Sequence, residues 1–262
     1  MLELWQALVL GIVQGLTEFL PVSSSGHLVV LQQWLRLPDQ VGLSFDIVIH
    51  LGTLLAVSCY YQATLRRLVV GIVQRQTAAL RMAGLLIIGT VPALIVGVVA
   101  KDYLEGLFNS VRGTAWQLVV NGLLLIFADR LSGRGRMETV SRGDAWWIGW
   151  GQAVAIIPGI SRSGATIAVG LGRKLSRPAA ANFSFLLAIP AILGAGLFDL
   201  PHLAAGGYRA IGPPAFWAGL LSAAVTGFLV IKLFLGYLKK GTLRGFGYYC
   251  LALGGMLWVI AR

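Results

Sequence analysis

Apolar residues come in long unbroken blocks along this chain, separated by short segments rich in Arg, Lys, Gly and Pro. Six blocks, at about 43–62, 81–100, 114–131, 182–199, 213–235 and 243–261, can each cross a hydrocarbon core of about 30 Å, which takes roughly 20 helical residues. Two other apolar regions, about 4–33 and 145–172, are too long for one crossing, and a polar knot interrupts each near its middle. The first knot reads GLTEFLPVSSSGHL, Gly15 to Leu28, and the second IIPGISRSGAT, Ile156 to Thr166. The pieces on either side are only about 10–15 residues long, so each region predicts two half-helices that enter the membrane and turn back. The blocks lack the roughly ten-residue alternation of an outer-membrane barrel. The pattern therefore predicts an all-α integral membrane protein.

Composition sharpens this. The chain is 57% hydrophobic and 12% charged, against about 25% charged in a soluble domain, and its mean hydropathy is +0.79. The net charge of +11 does not point to nucleic acid, because the basic residues sit in short loops between apolar blocks, as the positive-inside rule expects. Fourteen of the 21 Lys and Arg fall on one face, among them Arg66, Arg75, Arg134, Arg173 and Lys240, and five on the other: Arg36, Lys101, Arg112, Arg209 and Arg262. That skew places the first face in the cytoplasm, with 132–144 as a cytoplasmic linker and both termini outside. The early residues carry Glu3 and no basic segment, so no cleaved signal peptide is expected. Arg162 and Lys232 remain at membrane depth, and Lys232 can snorkel to the cytoplasmic end of its span. Cys59 and Cys250 lie in apolar blocks and read as packing residues.

The two knots resemble one another. SSSG at 23–26 aligns with SRSG at 161–164, an offset of 138 that also brings Phe45 onto Phe183. The chain then divides into halves 1–131 and 145–262, each a re-entrant hairpin followed by three spans. An odd number of crossings inverts the second copy, and inverted repeats with broken helices place their site near the midplane, where the breaks meet.

Facing each other, the knots would gather Glu18, Ser23, Ser24, Ser25 and His27 with Ser161, Arg162, Ser163 and Thr166. Polar groups at this depth are costly and by default functional. Half-helix N-termini would add backbone N–H groups, and Arg162 can take phosphate oxygens bidentately, so the pocket suits a phosphate. Plainer roles stand beside these: the serines as helix caps, Arg162 and Glu18 as a structural ion pair, and His27 as a hydrogen-bonded helix residue. Gln14 lies one turn before Glu18 and either helps hold a cation or caps the network. Asp46 and His50 are also four apart: Asp46, close to the outer interface, is open equally to a solvated structural and to a functional role, His50 reads as a packed, hydrogen-bonded core histidine, and His202 as an inert residue of an outer loop.

With these residues in view the chain closely resembles the undecaprenyl-pyrophosphate phosphatases, or bacitracin-resistance proteins. It carries Gln14, Glu18 and PVSSSGH where that family has Glu or Gln, Glu and PVSS-[ST]-GH, and PGISRSGAT where it has PG-x-SRS-x-x-T. Gln14 stands where many members have Glu, and Ser25 where Thr is common. The resemblance implies hydrolysis of undecaprenyl diphosphate, a polyprenyl lipid in the membrane, to the monophosphate and inorganic phosphate for cell-wall synthesis, with Mg²⁺ or Ca²⁺. It implies Glu18, Ser24, His27 and Arg162 as the core set, supported by Ser23, Ser161 and Thr166. Ser24 is then the candidate nucleophile with His27 its acid–base partner, the alternative being direct attack by water with Ser24 a hydrogen-bond donor; Ser25 and Ser163 are further substrate contacts, and Glu18, with Gln14 beside it, supplies the cation's oxygen ligands. The rival reading is a transporter or flippase of a polyprenyl phosphate, since inverted repeats with broken helices also build carriers. Both a monomer and a homodimer stay open, as does a pocket facing the outer side.

Overall fold

The computed structural model describes residues 2–100, 111–131, 133–202 and 208–260 of the 262, with 39–40, 198–202 and 209 described by backbone alone. Among the described residues there is no β-strand, and five helices are long and apolar enough to cross a membrane: Val41–Tyr60, Thr77–Val99, Val111–Ala128, Arg177–Leu197 and Pro213–Leu238. The protein is a multi-pass, all-helical membrane protein. The sixth expected span is the 17-residue helix Arg244–Ile260, about 25 Å long at 1.5 Å per residue.

Both broken regions fold as pairs of short helices. The first is α1 (Leu4–Phe19) and α2 (Ser24–Trp34). Leu20 is extended (φ −70°, ψ 145°) because the following Pro21 disfavours helical geometry there, and Ser23 takes a left-handed φ of 69° before its side chain caps α2. Next come α3 (Asp39–Tyr60), α4 (Gln62–Val73), α5 (Thr77–Val99) and α6 (Val111–Ala128). The second broken pair is α7 (Arg142–Val154) and α8 (Arg162–Gly172), turned at Pro158 and Gly159, where φ is +93° and only glycine is at ease. The chain ends in α9 (Arg177–His202), the short α10 (Tyr208–Ile211), α11 (Pro213–Leu238) and α12 (Arg244–Ile260). Helices beginning at Leu4, Ser24 and Asp39 thus have counterparts 138 positions on, at Arg142, Arg162 and Arg177. Phe45 and Phe183, at the same offset, are both fully buried.

The short helices pack on partners distant in sequence: α1 chiefly on α11, and α7 on α5. Glycines permit it. A Cβ at Gly11 would stand 2.5 Å from the Gly219 carbonyl, one at Gly15 2.7 Å from that of Ala223, and one at Gly149 2.6 Å from that of Gly89. Such contacts let backbones approach where lipid offers no hydrophobic drive between helices. The same device joins α6 to α12 at Gly122 and Gly247.

Two regions carry more structure than the apolar blocks predict. Helix α4 was expected as loop, but it sets Arg66 and Arg67 beside exposed Val69, Val70, Ile72 and Val73, the character of a helix lying in the interface. A search for runs of about 20 apolar residues passes over a 12-residue amphipathic helix. The linker is tied down: Gly135 N–H donates to Lys174 O (3.0 Å), Ser176 N–H to Gly135 O (2.9 Å), and Arg81 Nη2 to Val140 O (2.6 Å). Nearby, buried Asp129 accepts from Arg177 (2.9 Å), Arg244 (2.8 Å) and the Leu243 N–H (2.8 Å), so one carboxylate gathers the ends of α6, α9 and α12. Helix α9 runs through position 202, but the His202 side chain, like Lys101, Arg262 and the side chain of Arg209, lies outside the described residues.

Candidate active site

The two knots meet. Ser163 Oγ donates to Leu20 O (3.0 Å), the Gly159 N–H donates to Ser25 Oγ (3.3 Å), and Arg162 Nη2 donates to Glu18 Oε1 (2.6 Å). From α6, Asn121 reaches both: its Nδ2 donates to Pro21 O (3.0 Å) and its Oδ1 accepts from the Ser161 N–H (3.0 Å).

Glu18 is the centre. It is 8% exposed, yet its two oxygens serve four neighbours. Oε1 holds Arg162; Oε2 accepts from Ser24 Oγ at 2.5 Å and from Gln14 Nε2 at 3.1 Å. His50 Nε2 stands 3.8 Å from Oε2. Ser24, Ser25, His27, His50 and Arg162, by contrast, are partly exposed. Arg162 spends one N–H on Glu18 and a longer one on Ser184 O (3.4 Å), which among the described residues leaves three of its five donors for a ligand.

The structure moves His27 away from the role of Ser24's partner. Its Nδ1 donates to Ser23 O (2.6 Å), and its Nε2 meets the Tyr249 hydroxyl (2.7 Å), against which the ring stacks at 5.7 Å. The group that accepts the Ser24 hydroxyl is Glu18. A helix end explains this: His27 lies one turn into α2 and spends its near nitrogen on the backbone of the cap, while the kink at Pro21 folds α1's last turn back onto Ser24.

Ser23 and Ser161, equivalent by the offset of 138, are the N-caps of α2 and α8, accepting from the Gly26 N–H (3.2 Å) and the Gly164 N–H (3.1 Å). Ser23 and Ser25 hydroxyls pair at 3.2 Å, and Ser161 and Ser163 at 3.0 Å. Thr166 donates to Arg162 O (2.7 Å) and pairs with the Ser184 hydroxyl (2.6 Å), bracing Arg162 from below.

Sequence reasoning missed four participants. His50, read as a packed and hydrogen-bonded core histidine, is hydrogen-bonded but partly exposed: its Nδ1 donates to Asp46 O (2.7 Å), which turns Nε2 toward Glu18. Asp46 itself accepts from Gln32 Nε2 (2.6 Å). The i, i+4 spacing was visible, but not its direction. Ser184 and Tyr249 carry no local signal. Asn121, alone and polar in VVNGLLL, did carry one.

The donor set can be tested against a hard divalent cation. Gln14 is fully buried and its Oε1 has no hydrogen-bond partner, so one oxygen donor beside Glu18 stands unused. No cluster of three His, Cys, Asp or Glu suited to a metal occurs among the described residues. Two protein oxygens fit a cation shared with a ligand's phosphates and water, the usual arrangement for Mg²⁺.

The family model for Bacitracin resistance protein BacA matches residues 7–256. The chain is 42% identical to the undecaprenyl-diphosphatase of Rubrobacter xylanophilus, over 98% of either chain. It is 40% identical to undecaprenyl-diphosphatase 3 of Bacillus cereus, over 97% of this chain and 96% of that one. It is 42% identical to the undecaprenyl-diphosphatase of Syntrophotalea carbinolica, over 97% of this chain and 98% of that one.

Proposed function

The chain belongs to the bacitracin resistance protein BacA family, and we infer that it is an undecaprenyl-diphosphatase, cleaving the lipid diphosphate in the membrane to undecaprenyl phosphate and inorganic phosphate. The observation that carries the reading is the triad of Ser24, Glu18 and Arg162. A hydroxyl donates at 2.5 Å to a carboxylate whose other oxygen is held at 2.6 Å by a guanidinium. A carrier's binding site needs no hydroxyl poised on a base. The direct test is release of phosphate from undecaprenyl diphosphate by the purified protein; binding without release would return the flippase reading.

The geometry orders a mechanism. Phosphoryl transfer needs charge neutralisation and in-line positioning above all. Arg162, held in place by Glu18 and Ser184 O, turns its remaining N–H donors to the terminal phosphoryl oxygens. Ser24 Oγ attacks the terminal phosphorus as its proton passes to Glu18 Oε2, and the bridging P–O bond breaks to release undecaprenyl phosphate. Water then attacks the phosphoserine, the P–Oγ bond breaks as Ser24 recovers its proton from Glu18, and inorganic phosphate leaves carrying the water's oxygen and both of its protons. The partly exposed serines and His27 face the incoming headgroup. A Mg²⁺ or Ca²⁺, held by Gln14 and Glu18, would supply further charge neutralisation at the diphosphate.

Gln14 gives that cation a test. Gln14→Glu sets two buried carboxylates one turn apart, a repelling pair unless a cation lies between them. The variant should need about tenfold less Mg²⁺ or Ca²⁺ for half-maximal rate, the equivalent of about 1.4 kcal/mol, and should withstand correspondingly more chelator. Overlaying titration curves for variant and parent would remove position 14 from the cation site.

The charge skew supports a cytoplasmic location for the Arg75 turn and an outer one for Arg36, with the termini outside. In a background without native cysteines, Arg75→Cys should react with an impermeant thiol reagent only from the cytoplasmic side and Arg36→Cys only from outside. The reverse pattern would invert the topology.

A further inference from the structure

We propose that Asn121 is a positioning residue for the hydrolysis, a single amide that sets the distance between the nucleophile's break and the arginine's. The inference rests on the phosphatase reading above. Asn121 is fully buried at the middle of α6, a helix that contributes nothing else to the reacting groups. Its Nδ2 donates to Pro21 O, three residues before Ser24, and to Cys250 Sγ at 3.3 Å. Its Oδ1 accepts from the N–H of Ser161, the residue before Arg162. The partners are 100 and 40 residues away in sequence, and both are main-chain groups in helix breaks, which the helices themselves leave unsatisfied.

A planar amide with a donor on one side and an acceptor on the other can serve both only at one separation of the breaks. Two further links, Ser163 to Leu20 O and the Gly159 N–H to Ser25, join the same two segments, but neither touches both Pro21 and Ser161. The Glu18–Arg162 contact at 2.6 Å, and the aim of Ser24 at a phosphoryl group on Arg162, therefore depend on a residue that touches no reacting atom. A displacement of about 1 Å at a reacting centre can cost about 100-fold in rate.

The role predicts how two variants differ. Asn121→Leu keeps the bulk and loses both polar links; its kcat should fall about 100-fold, with KM for the lipid diphosphate within about threefold of the parent, because Arg162 still holds the anion. Asn121→Asp is the sharper probe. Protonated, its carboxyl keeps one donor for Pro21 O and one acceptor for the Ser161 N–H, giving up the second donation to Cys250 Sγ; ionised, it presents only acceptors and repels Pro21 O. Among the described residues the titratable side chain within hydrogen-bond reach is Cys250.

The experiment measures phosphate release by parent, Asn121→Leu and Asn121→Asp in detergent between pH 5 and 9, each rate divided by the folded fraction from size-exclusion chromatography. The expected result is a ratio of Asn121→Asp kcat to parent kcat that rises about tenfold or more as pH falls through the variant's own titration. A ratio flat across that range overturns the proposal, as does Asn121→Leu with a parent-like kcat. Should Asn121→Leu fail to fold, Asn121→Asp decides alone. A parent that releases no phosphate fails the reading beneath; an active parent with unaffected variants fails this inference only.

Discussion

Ser24→Ala is expected to release no measurable phosphate from undecaprenyl diphosphate while still binding it, since Arg162 and Glu18 keep their 2.6 Å contact without the hydroxyl. Removal of a nucleophile costs on the order of 10⁶ in kcat where an enzyme commits to a covalent step. Removal of a hydrogen-bond donor from an anion site costs roughly 10²–10³. The two outcomes are well separated, so a residual rate about a thousandfold below the parent would mean that water attacks directly. Parent enzyme quenched during turnover should carry phosphate on Ser24 if the phosphoester breaks down more slowly than it forms. Glu18→Gln supplies the companion measurement. Because Ser24 and Glu18 share one hydrogen bond and one proton, the double variant should be scarcely worse than either single one; losses that multiply would sink the pairing.

Arg162→Lys should lower kcat/KM by about 10³ although charge is conserved, within the range that removal of an arginine costs in phosphoryl transfer. Lysine brings a point charge with three donors on a flexible stem and lacks the planar fork. It cannot hold Glu18 at one end, meet Ser184 O at the other and still present paired N–H groups to a phosphoryl. Steady-state kinetics that stay within threefold of the parent would show that only the charge of Arg162 matters. The variant also separates binding from chemistry: a rise in KM alone would mean that Arg162 serves ground state and transition state equally.

Much of this arrangement was legible in the chain. Polar residues in the middle of apolar blocks announce themselves, and Pro21 and Pro158 mark where each helix must stop, so both breaks and the gathering of Glu18, Ser24 and Arg162 where they meet could be read. What stayed hidden is direction. The sequence spacing of Ser24 and His27 is compatible with a hydrogen bond, but His27 turns to Ser23 O and Tyr249, a partner 222 positions away. His50 shows the converse, since its spacing from Asp46 was plain and its turn toward Glu18 was not. Asn121 was passed over for a different reason: one amide in an apolar span reads as a tolerated exception until its two backbone partners are seen. Helix α4 was missed because amphipathic faces, unlike spans, do not register as continuous apolar runs.

The crossed packing of the short helices has a consequence for how the protein is made. Helix α1 is synthesised first, and the face bearing Gly11 and Gly15 fits α11, which begins at Pro213. At about 5–20 residues per second the ribosome needs roughly 10–40 s to bring that partner out. Through that interval α1 has only lipid or the insertion machinery beside it, and Glu18 waits without Arg162. The amide that spans the breaks arrives midway, with α6, and finds Pro21 but not yet Ser161. Assembly of the catalytic groups thus waits for α8, and the seating of α1 for α11: a nascent chain that stalls before α8 carries every serine of the first knot and no Arg162 to pair with Glu18.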